Sequence, residues 1–200
     1  MFRPTPQGPL TRLRMASTFL GRPVYAVSAY AFADLLIDTG PPQRAGQLVE
    51  WCRGSAVRRV ILTHHHEDHV GGAAALQEEL GLPVLAPANA VPILAEGLRM
   101  PLYRKAVWRT PRPFRAEPLG STVEGEGYRL RVIPTPGHAF THVCLFDEER
   151  RWLFSELVKK SRVLSWTVEA PGVEEAGQGR GVPPCGWDVE GLEGKPDFLR

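Results

Sequence analysis

The stretch His64-His65-His66-Glu67-Asp68-His69 gathers four of the chain's six histidines into six consecutive positions. The apolar run "VRRVIL" precedes it and "VGGAAALQEELG" follows it, so it reads as the link between a buried strand and a helix closed by Gly81. Alternate residues of an extended segment share a face. On that parity His64, His66 and Asp68 face one way. His65 and Glu67 face the other, toward solvent or behind the ligating face. Asp68-His69-Val70 then enters the helix, and Gly71 and Gly72 let its backbone approach a neighbour closely. One short loop thus offers two imidazoles to one cation, and a carboxylate with an imidazole to a second. Neutral imidazole and carboxylate donors suit Zn²⁺. Manganese and iron accept the same donors.

The remaining histidines both lie in "PTPGHAFTH". Pro134 and Pro136 restrict the backbone there, and Gly137 permits an unusual turn just before His138. Such a stiffened loop suits His138 as the third imidazole of the first metal position. His142 opens the next strand and reads as a packing residue or one that supports a ligand from behind.

With 200 residues and 43% hydrophobic content, the chain can bury a core as one main domain. The first 40 residues read as strands that end in the turn at Asp38-Thr39-Gly40. "QRAGQLVEWCRG" reads as a helix, "LPVLAP" as a strand and "NAVPILAEGLRM" as another helix. Residues 101–121, rich in Pro and Arg, read as a long loop or lid, with Tyr103, Trp108 and Phe114 as packing anchors. "YRLRVIPTPGH", "HVCLFDEE" and "RWLFSEL" read as three consecutive strands. Strands alternating with helices and then consecutive strands indicate an α/β fold with a partly antiparallel sheet.

Other chemistries fit less well. Cys52, Cys144 and Cys185 are far apart and odd in number, which argues against a disulfide framework or a thiolate zinc site. A net charge of +2 gives no reason to expect nucleic acid. There is no GxSxG and no P-loop. No apolar run reaches the roughly 20 residues of a membrane span, and the first residues lack a signal-peptide pattern, which makes the cytoplasm the simplest location.

At this point three motifs resemble the metallo-β-lactamase superfamily: "THHHEDHVGG" its HxHxDH signature, "LLIDTG" its early strand-end Asp motif, and "TPGHAFTH" its TPGHTxGH segment, with Ala139 and Thr141 as departures. The likeness spans residues about 15–157, with an atypical Gly- and Pro-rich segment over 158–200. It implies a four-layer αββα sandwich with a metal cleft along one sheet edge. It also implies that His64, His66 and His138 hold one metal, Asp68 and His69 part of a second, and that Asp38 anchors the loop. Zinc is the implied metal, two per site in the family. The implied chemistry is hydrolysis of a small ester, thioester or lactone by a metal-bound hydroxide, with Asp68 orienting that hydroxide.

The family's bridging Asp and last metal His have no counterpart. "WLFSELVKK" offers only Glu156 near the first, and no histidine follows His142. A one-metal site, a truncation and a reading-frame shift near residue 156 each account for this, and the last two would leave the second half of the sandwich incomplete. Two rivals to the hydrolase remain. One is a nuclease on the same fold, using the Arg-rich run 104–115. The other is a metal-binding protein that no longer catalyses.

Overall fold

The computed structural model describes residues 1–155 and the backbone of 166–167, all within one compact unit, Met1–Glu169. Residues 156–165, Glu156 among them, lie outside the described residues, as do residues 168–200.

The chain opens with three long antiparallel strands, β1 (Phe2–Gln7), β2 (Leu10–Phe19) and β3 (Arg22–Phe32). Strand β4 (Leu35–Ile37) pairs with β3 antiparallel. From there the sheet turns parallel through β5 (Arg59–Ile61), β6 (Val84–Ala86) and β7 (Glu117–Pro118). Helices α1 (Ala45–Arg53) and α3 (Ala73–Leu80) are the crossovers that parallel pairing requires. A second, wholly antiparallel sheet has the order β12-β11-β10-β9-β8. Its strands are β8 (Thr122–Gly125), β9 (Tyr128–Pro134), β10 (Val143–Asp147), β11 (Trp152–Phe154) and β12 (Trp166–Thr167).

Side-chain parity builds the layers. In β4, Leu36 faces a cluster with Leu48, Val49 and Cys52 of α1 and Leu76 of α3. Its neighbours Leu35 and Ile37 face a second cluster, with Leu130 of β9, Leu145 of β10 and Phe154 of β11. In β5 and just after it, Val60 and Leu62 go to the helix side and Ile61 to the inter-sheet side. The centre of the first sheet, β4 and β5, is therefore buried on both faces, which explains why these strands are near-continuous runs of apolar residues. Helices, first sheet and second sheet give three layers of the αββα sandwich. All five described helices precede residue 109.

The structure corrects the reading of residues 101–121 as one long loop. Leu102–Trp108 forms a helix, α5, after the shorter helix α4 (Val91–Glu96). It buries none of its residues fully, so it carries no core-facing stripe in its sequence. Instead Trp108 stacks on Tyr25 of β3 with ring centroids 5.5 Å apart. Gln43 donates to the Val107 carbonyl at 2.9 Å. Of the three aromatic anchors expected here, Trp108 and Phe114 do pack, and Tyr103 is exposed.

Candidate metal centre

The site forms where β4 and β5 end on one sheet and where β9 ends and β10 begins on the other. Strand β5 stops at Ile61, and the chain reaches His64 through Leu62 and Thr63 before the short helix α2 (Glu67–Val70) begins. Val143 donates to the Thr63 carbonyl at 3.0 Å, which ties the start of β10 directly to this loop.

A buried carboxylate organises the loop from beneath. Asp38 has φ +61°, a left-handed conformation that few residues other than glycine adopt. Its Oδ1 accepts from the Thr63 amide at 2.9 Å, and its Oδ2 accepts from the Thr63 hydroxyl at 2.9 Å. The same Oδ2 meets His69 Nδ1 at 2.8 Å. With its proton given to Asp38, the Thr63 hydroxyl accepts from His64 Nδ1 at 3.0 Å. Both imidazoles thus carry their proton on Nδ1, which leaves each Nε2 as a lone-pair donor. Next to Asp38, Thr39 donates through its amide and its hydroxyl to the His69 carbonyl, at 2.7 and 2.8 Å. Gly71 donates to the Gly40 carbonyl at 2.9 Å. A Cβ on Gly71 would stand 2.2 Å from the Pro42 nitrogen, so α2 docks backbone against backbone.

His64, His66 and His138 each offer one ring nitrogen within 4.8 Å of the others. His66 Nδ1 and His138 Nε2 are 3.0 Å apart. Two nitrogens on a tetrahedral zinc stand roughly 3.4 Å apart, given bonds of about 2.0–2.1 Å, so three converging imidazoles fit such an ion. His64 is fully buried, His66 half-buried and His138 exposed, so the site has a closed back and an open front. Burial, then the neighbouring imidazoles, holds His64 well below the ordinary histidine range. Burial, then His138, His65, Arg104 and His69, brings His66 down to about 3. Imidazoles that resist protonation keep their lone pairs ready for a cation.

Asp68 and His69 also come together, with Asp68 Oδ2 3.7 Å from His69 Nε2. The His69 ring lies 4.3 Å from that of His64, centroid to centroid. His142 packs behind the triad, its ring 5.4 Å from His64 and its Nδ1 2.7 Å from the Thr135 hydroxyl.

The two spacer residues of the motif have partners that parity alone did not reveal. His65 Nδ1 and the Thr141 hydroxyl share a hydrogen bond of 2.7 Å, which joins the two histidine-bearing loops. Phe140 lies against the His65 ring, and its carbonyl accepts from Asn89 at 3.1 Å. Glu67 is 1% exposed and therefore not a solvent-facing residue. Its carboxylate accepts from Arg104 Nε and Nη2, both at 2.7 Å. No sequence signal marks this pair, whose members are far apart in the chain. Arg112 pairs with Glu78 at 2.6 Å on the exposed surface, so the Arg-rich run is the end of helix α5 followed by an extended segment whose arginines face solvent.

The sequence model of the metallo-beta-lactamase superfamily matches residues 24–155. With the fold and the histidine cluster in agreement, the chain belongs to the metallo-β-lactamase superfamily. Among curated proteins it is similar to a hydroxyacylglutathione hydrolase of Rhizobium meliloti, 32% identical over 103 residues, which are 52% of this chain and 34% of that protein. It is also similar to thioesterase pkgB of Emericella nidulans, 33% identical over 126 residues, 60% of this chain and 31% of that one. The chain thus spans about a third of the length of these relatives. A metallo-beta-lactamase from Pontibacter korlensis shares the fold at a TM-score of 0.59 and 22% identity, over 78% of this chain and 71% of its own. A metallo-beta-lactamase from Cronobacter sakazakii does so at 0.55 and 20%, over 74% and 57%. At these identities the likeness is one of fold.

Proposed function

We propose that the protein is a metal-dependent hydrolase of ester-type bonds, with small thioesters as its first substrate class and lactones as the second. The observation that carries this reading is the convergence of His64, His66 and His138. The names of its relatives, a hydroxyacylglutathione hydrolase and a thioesterase, support the choice of thioester.

In this reading His64, His66 and His138 hold one divalent ion. Asp68 and His69 contribute to a second position. A divalent ion, when bound, supplies Lewis acidity: it polarises a carbonyl and makes water a stronger acid. The chain's own residues do the rest. Asp68 accepts a hydrogen bond from the attacking water and turns its lone pair toward the carbonyl carbon. Asp38 and Thr63 fix the tautomers of His69 and His64, so neither ring competes as a donor at the reacting centre. Water adds to the carbonyl, the C–S bond breaks, and the products are a carboxylate, a thiol and a released proton. No side chain serves as nucleophile.

The test uses the full chain loaded in turn with zinc, iron and manganese and assayed on S-lactoylglutathione and on a simple lactone. Turnover that disappears in His64→Asn supports the proposal. Failure to retain any of the three metals, or metal retention without turnover of either substrate, overturns it.

A further inference from the structure

The hydrolase reading leaves the Glu67–Arg104 pair without a chemical role. A cleft of about 310 Å³ runs from the histidine loop to the segment that joins α4 and α5. Its wall includes His66, Arg104, Arg99 and the apolar side chains of Ile93, Leu98 and Met100. Arg104 is held in a fixed pose. Nε and Nη2 form one edge of the guanidinium, and both donate to a carboxylate that is itself buried. Among the described residues Nη1 makes no hydrogen bond, so the outer edge of the fork remains available on the cleft side.

The charges near this edge are few. Glu67 also borders the cleft, but it is 1% exposed and its charge is matched by Arg104. Glu96 and Arg99, both exposed, also line the cleft and cancel in formal charge. An arginine whose rear edge is fixed by a buried acid keeps its front N–H groups pre-oriented, and that geometry matches a planar anion such as a carboxylate. Apolar side chains on the same wall suit a short hydrocarbon spacer between that anion and the metal triad.

The geometry points to Arg104 as a substrate-binding residue that takes a carboxylate carried a few carbons from the scissile bond. The enzyme then prefers acidic thioesters to neutral ones of the same length. This inference rests on the hydrolase reading for its substrate and on the cleft for its binding site, and the two are separable.

The comparison needs three thioesters of matched size, assayed on the zinc-loaded full chain. S-Succinyl-N-acetylcysteamine carries its carboxylate on the acyl side. S-Butyryl-3-mercaptopropionate carries it on the thiol side. S-Butyryl-N-acetylcysteamine carries none. One of the two acids is expected to exceed the neutral ester about ten-fold or more in kcat/KM, and which one tells the side that enters the cleft. Arg104→Met reduces that ratio to below about two-fold, and Arg104→Lys, which keeps the charge and loses the fork, gives an intermediate value. Because Arg104→Met strands a buried carboxylate, the double variant Glu67→Gln/Arg104→Met provides the same comparison in a protein without that charge. Equal use of all three esters by the wild type, or a preference that survives in both Met variants, overturns the inference.

If no thioester is cleaved, the hydrolase reading fails and the cleft is judged by calorimetry. The probes are the uncleavable thioethers S-(3-carboxypropyl)- and S-butyl-N-acetylcysteamine. Tighter binding of the acid by about ten-fold, lost in the double variant, supports the anion site. Equal or undetectable binding of the two overturns it.

Discussion

The two loops that supply imidazoles to the site are made differently. The loop at 63–72 is set into the core. Thr63, His64, Glu67 and His69 are all buried, and Asp38 and Thr39 hold the loop from below with hydrogen bonds to Thr63, His69 and Gly72. The loop at 135–142 brings its middle, residues 136–138 and Phe140, to the surface, with Ala139, Thr141 and His142 buried. His138 is exposed, Phe140 is 62% exposed, and the ties to its neighbour include the Thr141–His65 and His66–His138 hydrogen bonds and the Val143 amide. The lesson is a division of labour. One half of the site is fixed by folding itself, and the other half closes onto it through a few polar contacts.

This contrast can be broken in measurable steps. The largest effect is expected at His138→Ala. Removing one of three ligands lowers zinc affinity by about 10²–10³-fold, while unfolding stability stays within about 0.5 kcal/mol, since the ring is exposed. Chelator competition and urea titration on the same preparation check both halves. A loss of stability above 2 kcal/mol would show that the outer loop is as integral to the fold as the inner one.

Asp38→Ala comes next and acts in the opposite sense. It removes the acceptor for Thr63 and His69 in a buried setting, at about 3 kcal/mol in stability, or roughly 6–12 °C in Tm. Zinc affinity also falls, because His69 loses the group that fixes its tautomer and Thr63, which faces His64, loses the acceptor that orients its hydroxyl. Calorimetry that shows an unchanged Tm would sink the view that the inner loop is fixed from below.

Thr141→Val tests the clasp between the loops. It is expected to cost about 1 kcal/mol and roughly ten-fold in zinc affinity, with both restored by Thr141→Ser. Phe140→Ala should have the smallest effect of the series, under about 0.5 kcal/mol, because most of that ring already faces solvent. If Phe140→Ala weakens zinc binding more than Thr141→Val, ring packing and not the hydrogen bond holds the outer loop.

Much of the inner loop was legible in the sequence, and for a physical reason. Its ligands follow one another in the chain, so spacing alone brings His64 and His66 together, and the strand before them and helix after them have clear apolar patterns. His138 was legible because proline and glycine around a histidine report on backbone shape. What the sequence concealed depends on partners distant in the chain. Glu67 looked like a spacer because parity turned it away from the metal, yet Arg104 makes it a buried anchor. Helix α5 looked like a loop because prolines bracket it and no stripe of apolar residues faces the core. Its order comes from Trp108 on Tyr25 and from Gln43, contacts that no periodicity encodes. Both concealed features lie on the cleft side of the site, where one short helix serves as a wall.

The close docking of Gly71 on Pro42 has a consequence for anyone who maps this protein by mutagenesis. The main chain at Gly71 touches the main chain of Pro41–Pro42 and the rigid Pro42 ring there, so even a methyl group at that position must push the segments apart. Every substitution at residue 71 is therefore expected to silence the protein, by spoiling the seat on which the neighbouring imidazoles stand. A blank row at that glycine in a saturation scan reports a mechanical fit between peptide planes, and the residue should not be counted among those that take part in chemistry.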